Sequence, residues 1–141
     1  MKKIFFIVAL CIAVGTHAEM YNFARLDNTH GLSNNQIECI FKDSRGFIWF
    51  GSNFGLNRYD GYNVKVYKSV KNDNTSLIYN AVPKIQEDHN GNLWISGTPN
   101  YVIYNVLNEK FNRNISGYLS PFGIHFIPTI VEIDTQKNFY F

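Results

Sequence analysis

Asp43 and Asp88 each stand six residues ahead of a tryptophan, Trp49 and Trp94, with Gly46 and Gly91 between. A carboxylate in a glycine turn suggests calcium binding, but a calcium loop needs an alternating series of acidic or amide ligands ahead of its glycine. Asp43-Ser44-Arg45-Gly46 offers one carboxylate, so each Asp is read as a turn former that bonds its own backbone. The flat faces of Trp49 and Trp94 would suit a pyranose ring, or would pack between neighbouring sheets. Their shared place in one pattern favours packing. Glycoside hydrolysis by the usual route needs two opposed carboxylates, and Glu87 and Glu132 stand singly. His30, His89 and His125 are too scattered for a metal site or for a Cys/His pair. No glycine loop of the phosphate-cradling kind occurs. No catalytic, cofactor-binding or metal-binding residue is therefore assigned.

The elements that position these residues come from a repeat. The stretch 43–51 returns at 88–97. The Asp, Gly and Trp pairs each lie 45 residues apart, as do Leu32/Leu77, Ile40/Ile85 and Tyr59/Tyr104, while Gly51 answers to Gly97. A third copy starts at Asp134, with Tyr140 in the tryptophan place. A repeat of this length is one supersecondary unit that cannot bury its own apolar faces and must stack. The expectation is an all-β, incomplete β-propeller: two four-stranded antiparallel blades plus the start of a third. The strands are expected at 36–42, 47–52, 56–60 and 62–68, then at 82–87, 92–97, 101–105 and 110–114. Pro83 would lie in an unpaired edge strand. Asp60-Gly61 marks a hairpin. Met20 to Asp27 reads as a further short strand before a turn at 28–31. No segment shows a convincing 3.6-residue period.

The domains follow as a signal peptide at 1–18, a strand and turn at 19–31, the first blade and its connection at 32–76, the second at 77–128, and the start of a third at 129–141. Lys2 and Lys3, the apolar run Ile4 to Val14, and Thr16-His17-Ala18 carry the signal reading. Eleven apolar residues are too few to span a bilayer, and no later segment is long enough. Two of the 13 basic residues lie in the signal, so the remainder balances 11 acidic ones. Near-zero charge argues against a nucleic-acid partner or an anionic membrane surface. Cys11 also lies in the signal. Cys39 is then the one remaining cysteine and is read as a small buried hydrophobe.

Gly31-Leu32-Ser33-Asn34-Asn35-Gln36-Ile37, the stretch 43–52, and Gly55-Leu56-Asn57-Arg58-Tyr59-Asp60-Gly61 resemble the two-component regulator propeller repeats. The second repeat is looser: Tyr101-Val102-Ile103-Tyr104 replaces the glycine-leucine pattern and Asn100 stands for Gly55. The Asp-turn-Gly-x-x-Trp element also resembles the Asp-box of sialidases, but with one residue more between Asp and Gly. The propeller resemblance implies the N-terminal piece of a periplasmic sensor region of a hybrid two-component histidine kinase. It implies an oligosaccharide-type ligand, the remaining blades and domains as partners, and a strand at Met20 to Asp27 that closes the ring against a last blade. The alternatives are a truncated secreted propeller enzyme of the glycosidase or lyase class, or a truncated reading frame without function. A third blade cut at Phe141 would leave Phe139, Tyr140 and Phe141 exposed and the chain prone to associate.

Overall fold

The computed structural model describes residues 25–97 and 100–141. Asp43-Ser44-Arg45-Gly46 reverses the chain between two apolar strands, and Gly46 takes φ 93° there. The first sheet follows from that hairpin: β1 (Ile37–Lys42), β2 (Ile48–Ser52), β3 (Gly55–Tyr59) and β4 (Val64–Tyr67) pair antiparallel in sequence order. The second repeat builds the same meander: β5 (Lys84–Glu87), β6 (Leu93–Ser96), β7 (Tyr101–Asn105) and β8 (Lys110–Asn112). Trp49 pairs across β3 with Arg58, and Trp94 pairs across β7 with Ile103. These are two four-stranded antiparallel blades. A third two-stranded piece, β9 (Glu132–Ile133) with β10 (Phe139–Tyr140), repeats the opening hairpin.

Stacking supplies the core that one sheet cannot. One buried cluster joins Trp49 and Leu56 of the first blade to Leu93, Ile95, Val102, Tyr104 and Phe111 of the second. A second cluster joins Trp94, Tyr101 and Ile103 to Val131, with Phe139 packed against it. Strand alternation explains the division: Leu93 and Ile95 face back to the first blade, and Trp94 between them faces forward. The chain passes between blades close to Gly51. Val82 N donates to Ser52 O at 2.9 Å. A Cβ on Gly51 would lie 2.3 Å from Val82 O and 2.6 Å from Cys39 Sγ.

The structure corrects several local expectations. Pro83 lies one residue ahead of β5, which begins at Lys84. Its missing N–H therefore costs the sheet nothing. The stretch after β8 holds a short helix, α1 (Ile115–Leu119), capped by Asn114 and followed by a 3-10 turn at Ser120–Phe122. Five residues are too few to display a helical period. Residues 25–27 form no strand, and the rest of the strand expected at 20–27 lies outside the described residues, as does the signal segment 1–18. Phe139 is not exposed: its ring meets Trp94 edge-on with centroids 5.2 Å apart. Tyr140 and Phe141 do remain exposed.

Candidate functional site

The two aspartates do the same thing in each blade. Asp43 Oδ1 accepts from Arg45 N and Phe47 N, both at 3.0 Å. Its Oδ2 accepts from Trp49 Nε1 at 2.9 Å and from Arg45 Nη2 at 2.9 Å. Asp88 Oδ1 accepts from Asn90 N and Asn92 N at 2.9 Å. Its Oδ2 accepts from Trp94 Nε1 at 3.2 Å and from Tyr118 Oη at 2.7 Å. Asp134 repeats the pattern with Gln136 N and Asn138 N, and Tyr140 Oη donates to its Oδ2 at 3.1 Å in place of the indole. One oxygen of each carboxylate thus holds the turn, and the other ties the aromatic of the next strand to it. A carboxylate filled by such donors keeps little capacity for a cation. Gly46 and Gly91 take the positive φ this turn needs, and Lys137 takes φ 66° in the third copy.

Trp49 and Trp94 have no free face. They are 0% and 1% exposed, so neither ring can stack on a sugar. Trp49 lies between Tyr67 and Tyr104, with centroids 5.8 and 5.2 Å away. Tyr118 of α1 meets Trp94 at 5.6 Å. Tyr59 donates to Gly61 O at 2.6 Å at the edge of the first blade. Tyr104 is buried, and its hydroxyl lies 3.1 Å from that of Tyr67 and accepts from Arg58 Nη1 at 3.3 Å. Burial pushes the Tyr104 hydroxyl far above the ordinary phenol value. Gly97 N donates to Asn100 O at 2.8 Å. Gly51, by contrast, is packed tightly against the inter-blade passage.

Two acids that looked isolated in the sequence are both engaged. Glu87, 5% exposed, accepts from Ser44 N at 3.0 Å and Ser44 Oγ at 2.7 Å on the first blade's turn. It also accepts from Lys137 Nζ at 2.7 Å on the third copy's turn. One carboxylate so links three successive repeats. Burial raises its pKa, but Lys137 and the two Ser44 donors outweigh burial and hold it below the usual carboxylate range. Glu132 pairs with Lys84 and accepts from Gln86 Nε2 at 3.2 Å. At the outer edge of the first junction, Glu109 accepts from Lys65 at 2.6 Å and Arg58 at 2.7 Å, and these cations hold its pKa down at about 2. Among the described residues no three His, Cys, Asp or Glu side chains gather to hold a metal. His30, His89 and His125 are exposed and lie apart. Cys39 is half-buried, with Sγ 3.5 Å from Val82 O, and burial raises its thiol pKa.

A cleft of about 400 Å³ opens where three successive inner strands end, lined by Lys42, Ser44, Gln86, Glu87, Thr135 and Lys137 among others. Buried Gln86 Oε1 is without a partner among the described residues. No local pattern in the sequence announces this gathering. Its members are 43 to 50 positions apart, and only the 45-residue period places such positions side by side.

The comparisons with known proteins agree with this geometry. The model of the two-component regulator propeller matches residues 31–54 and 76–98. The chain is 34% identical over 68 residues to Histidine kinase P4 of Formosa agariphila, covering 47% of this chain and 5% of that protein. It superposes with TM-score 0.63 and 26% identity on the extracellular domain of a hybrid two-component system of B. thetaiotaomicron, covering 81% of this chain and 16% of that one. The chain spans a small part of both relatives. Among the described residues no helix is long and apolar enough to cross a membrane. Two stretches of this chain thus match the two-component regulator propeller repeat, and each is folded as a blade around one Asp–Trp pair.

Proposed function

We propose that this segment forms the first blades of a periplasmic, non-catalytic, ligand-sensing propeller in a two-component sensor, and that the whole sensor recognises an oligosaccharide-type ligand. The observation that carries this reading is the spent condition of the repeat chemistry. The repeated aspartates and tryptophans are saturated by one another inside the stack, so they serve architecture, and recognition falls to the faces the blades present. The extracellular domain superposed above supports a place outside the inner membrane. The Lys2-Lys3 and Thr16-His17-Ala18 series supports export of this chain, with N-terminal sequencing of envelope material expected to begin at Glu19. The remaining blades and the signalling domains are its partners.

The test is in the cell. Codons 31–141 are deleted in frame from the gene that carries them, and transcript levels are followed after feeding purified oligosaccharide fractions. The expected result is induction by one fraction in the parent and none in the deletion strain. An unchanged response in the deletion strain would rule the segment out of sensing.

A further inference from the structure

A second cleft lies on the outer rim of the second blade, away from the inner strands. A groove of about 640 Å³ runs beside β8, lined by Asn74, Asn105, Asn108, Lys110, Asn112 and Arg113 among others. Its hydrogen bonding is one-sided. Asn105 Oδ1 accepts from Leu107 N and Asn108 N, Asn108 Oδ1 from Lys110 N, and Asn112 Oδ1 from Asn114 N, at 2.9 to 3.2 Å. Each of these amides therefore has its oxygen fixed on the backbone and its NH2 left over. Among the described residues those NH2 groups find no acceptor, and Lys110 makes no ion pair. Arg113 is locked in place: Nε donates to Ser76 O at 3.1 Å, and Nη2 donates to Leu77 O at 2.6 Å. Among the described residues its Nη1 has no acceptor. No carboxylate lines the groove itself, and Asp73, adjoining Asn74, accepts at Oδ1 from Thr75 and lies close enough for Arg113 and Lys110 to help lower its pKa.

We infer that this rim groove binds an oxyanion, a sulfate or carboxylate group carried on an extended polar ligand. A wall of oriented N–H donors with two cations matches oxyanion chemistry and disfavours a cation or an apolar group. The groove lies wholly within the two complete blades and their connection, so its walls do not depend on the third repeat.

The full chain, labelled with 15N, is titrated with sodium sulfate against sodium chloride at equal ionic strength, and the side-chain amide signals are followed by NMR. Saturable shifts confined to the Asn105, Asn108 and Asn112 amides are expected with sulfate alone. Asn108→Asp keeps the oxygen that caps Lys110 N but removes the NH2 and adds a charge. Lys110→Glu alters an exposed side chain. Each is expected to weaken sulfate roughly tenfold or more while leaving the unfolding midpoint in place. Oligosaccharides bearing sulfate, bearing uronate, and neutral form three further arms. Tighter binding of either charged form than of free sulfate identifies a carried anion, and equal binding identifies the free ion. No saturable shift, equal affinity in both variants, or neutral sugar binding as well as charged would each overturn the inference.

Discussion

Replacing Trp49 separates the two jobs of the repeated aromatic. Its ring is fully buried between Tyr67 and Tyr104, and its Nε1 donates to Asp43 Oδ2 at 2.9 Å. Trp49→Ala removes the ring and leaves a cavity between blades, so a loss of about 3–5 kcal/mol is expected. Phe and Tyr at this position both fill part of the space and differ by one hydroxyl. The third repeat shows what that hydroxyl does: Tyr140 Oη reaches Asp134 Oδ2 at 3.1 Å. A hydrogen bond to a charged group contributes about 1.5–3 kcal/mol. Asp43 Oδ2 keeps Arg45 Nη2 as a second donor, which places the difference near the low end. Trp49→Tyr should therefore be more stable than Trp49→Phe by about 1–2 kcal/mol, up to about a thirtyfold difference in the folded-to-unfolded ratio. Urea unfolding followed by circular dichroism gives the three values. Phe and Tyr variants of equal stability would refute the aspartate tether, and a neutral Trp49→Ala would refute the buried blade interface.

Gly51→Ala should destabilise by about 1–3 kcal/mol, since its Cβ would meet Val82 O at 2.3 Å where the chain passes between blades; thermal unfolding measures it against Gly61→Ala, which meets nothing within 4 Å and carries only the strain of φ 100°. Glu87→Gln removes the charge that Lys137 and Ser44 share, and about 1–3 kcal/mol should be lost in urea unfolding. The pH dependence has one sign. Folding lowers the pKa of Glu87 and Glu109 from the ordinary 4.5, the latter to about 2. Their contributions are then complete above that ordinary value and are lost as pH falls through the folded values. Unfolding midpoints measured from pH 6 to pH 2 should fall, and Glu109→Gln should flatten part of the fall. Adding salt should weaken the exposed Glu109 contribution more than that of buried Glu87.

Much of this fold is legible in the residues. Asp-x-x-Gly turns and alternating apolar runs mark the strands of both blades to within a few positions, because hairpin chemistry is local. The spacing of Asp43 to Trp49, kept in Asp88 to Trp94 and Asp134 to Tyr140, also held the signal for the carboxylate–aromatic tether. Reading Asp as a turn former and Trp as packing left that bond between them unseen. Helix α1 was hidden by its length, although Asn114 ahead of Ile115 is a helix-cap signal and Leu119 follows one turn on. Glu87 was the larger omission. Its partners Ser44 and Lys137 belong to other repeats, and no local pattern announces a contact made only when blades stack. The same limit hid the rim groove, whose donors become one-sided only after backbone N–H groups have taken the amide oxygens.

On the function proposed above, the propeller senses its ligand without turning it over. Isothermal titration of the intact extracytoplasmic region with the inducing oligosaccharide, followed by mass spectrometry of the recovered ligand, separates sensing from turnover. Saturable binding and a ligand recovered at its original mass are expected. A shortened or unsaturated product, lost when a single acid such as Glu87 or Glu132 is replaced, would contradict that function.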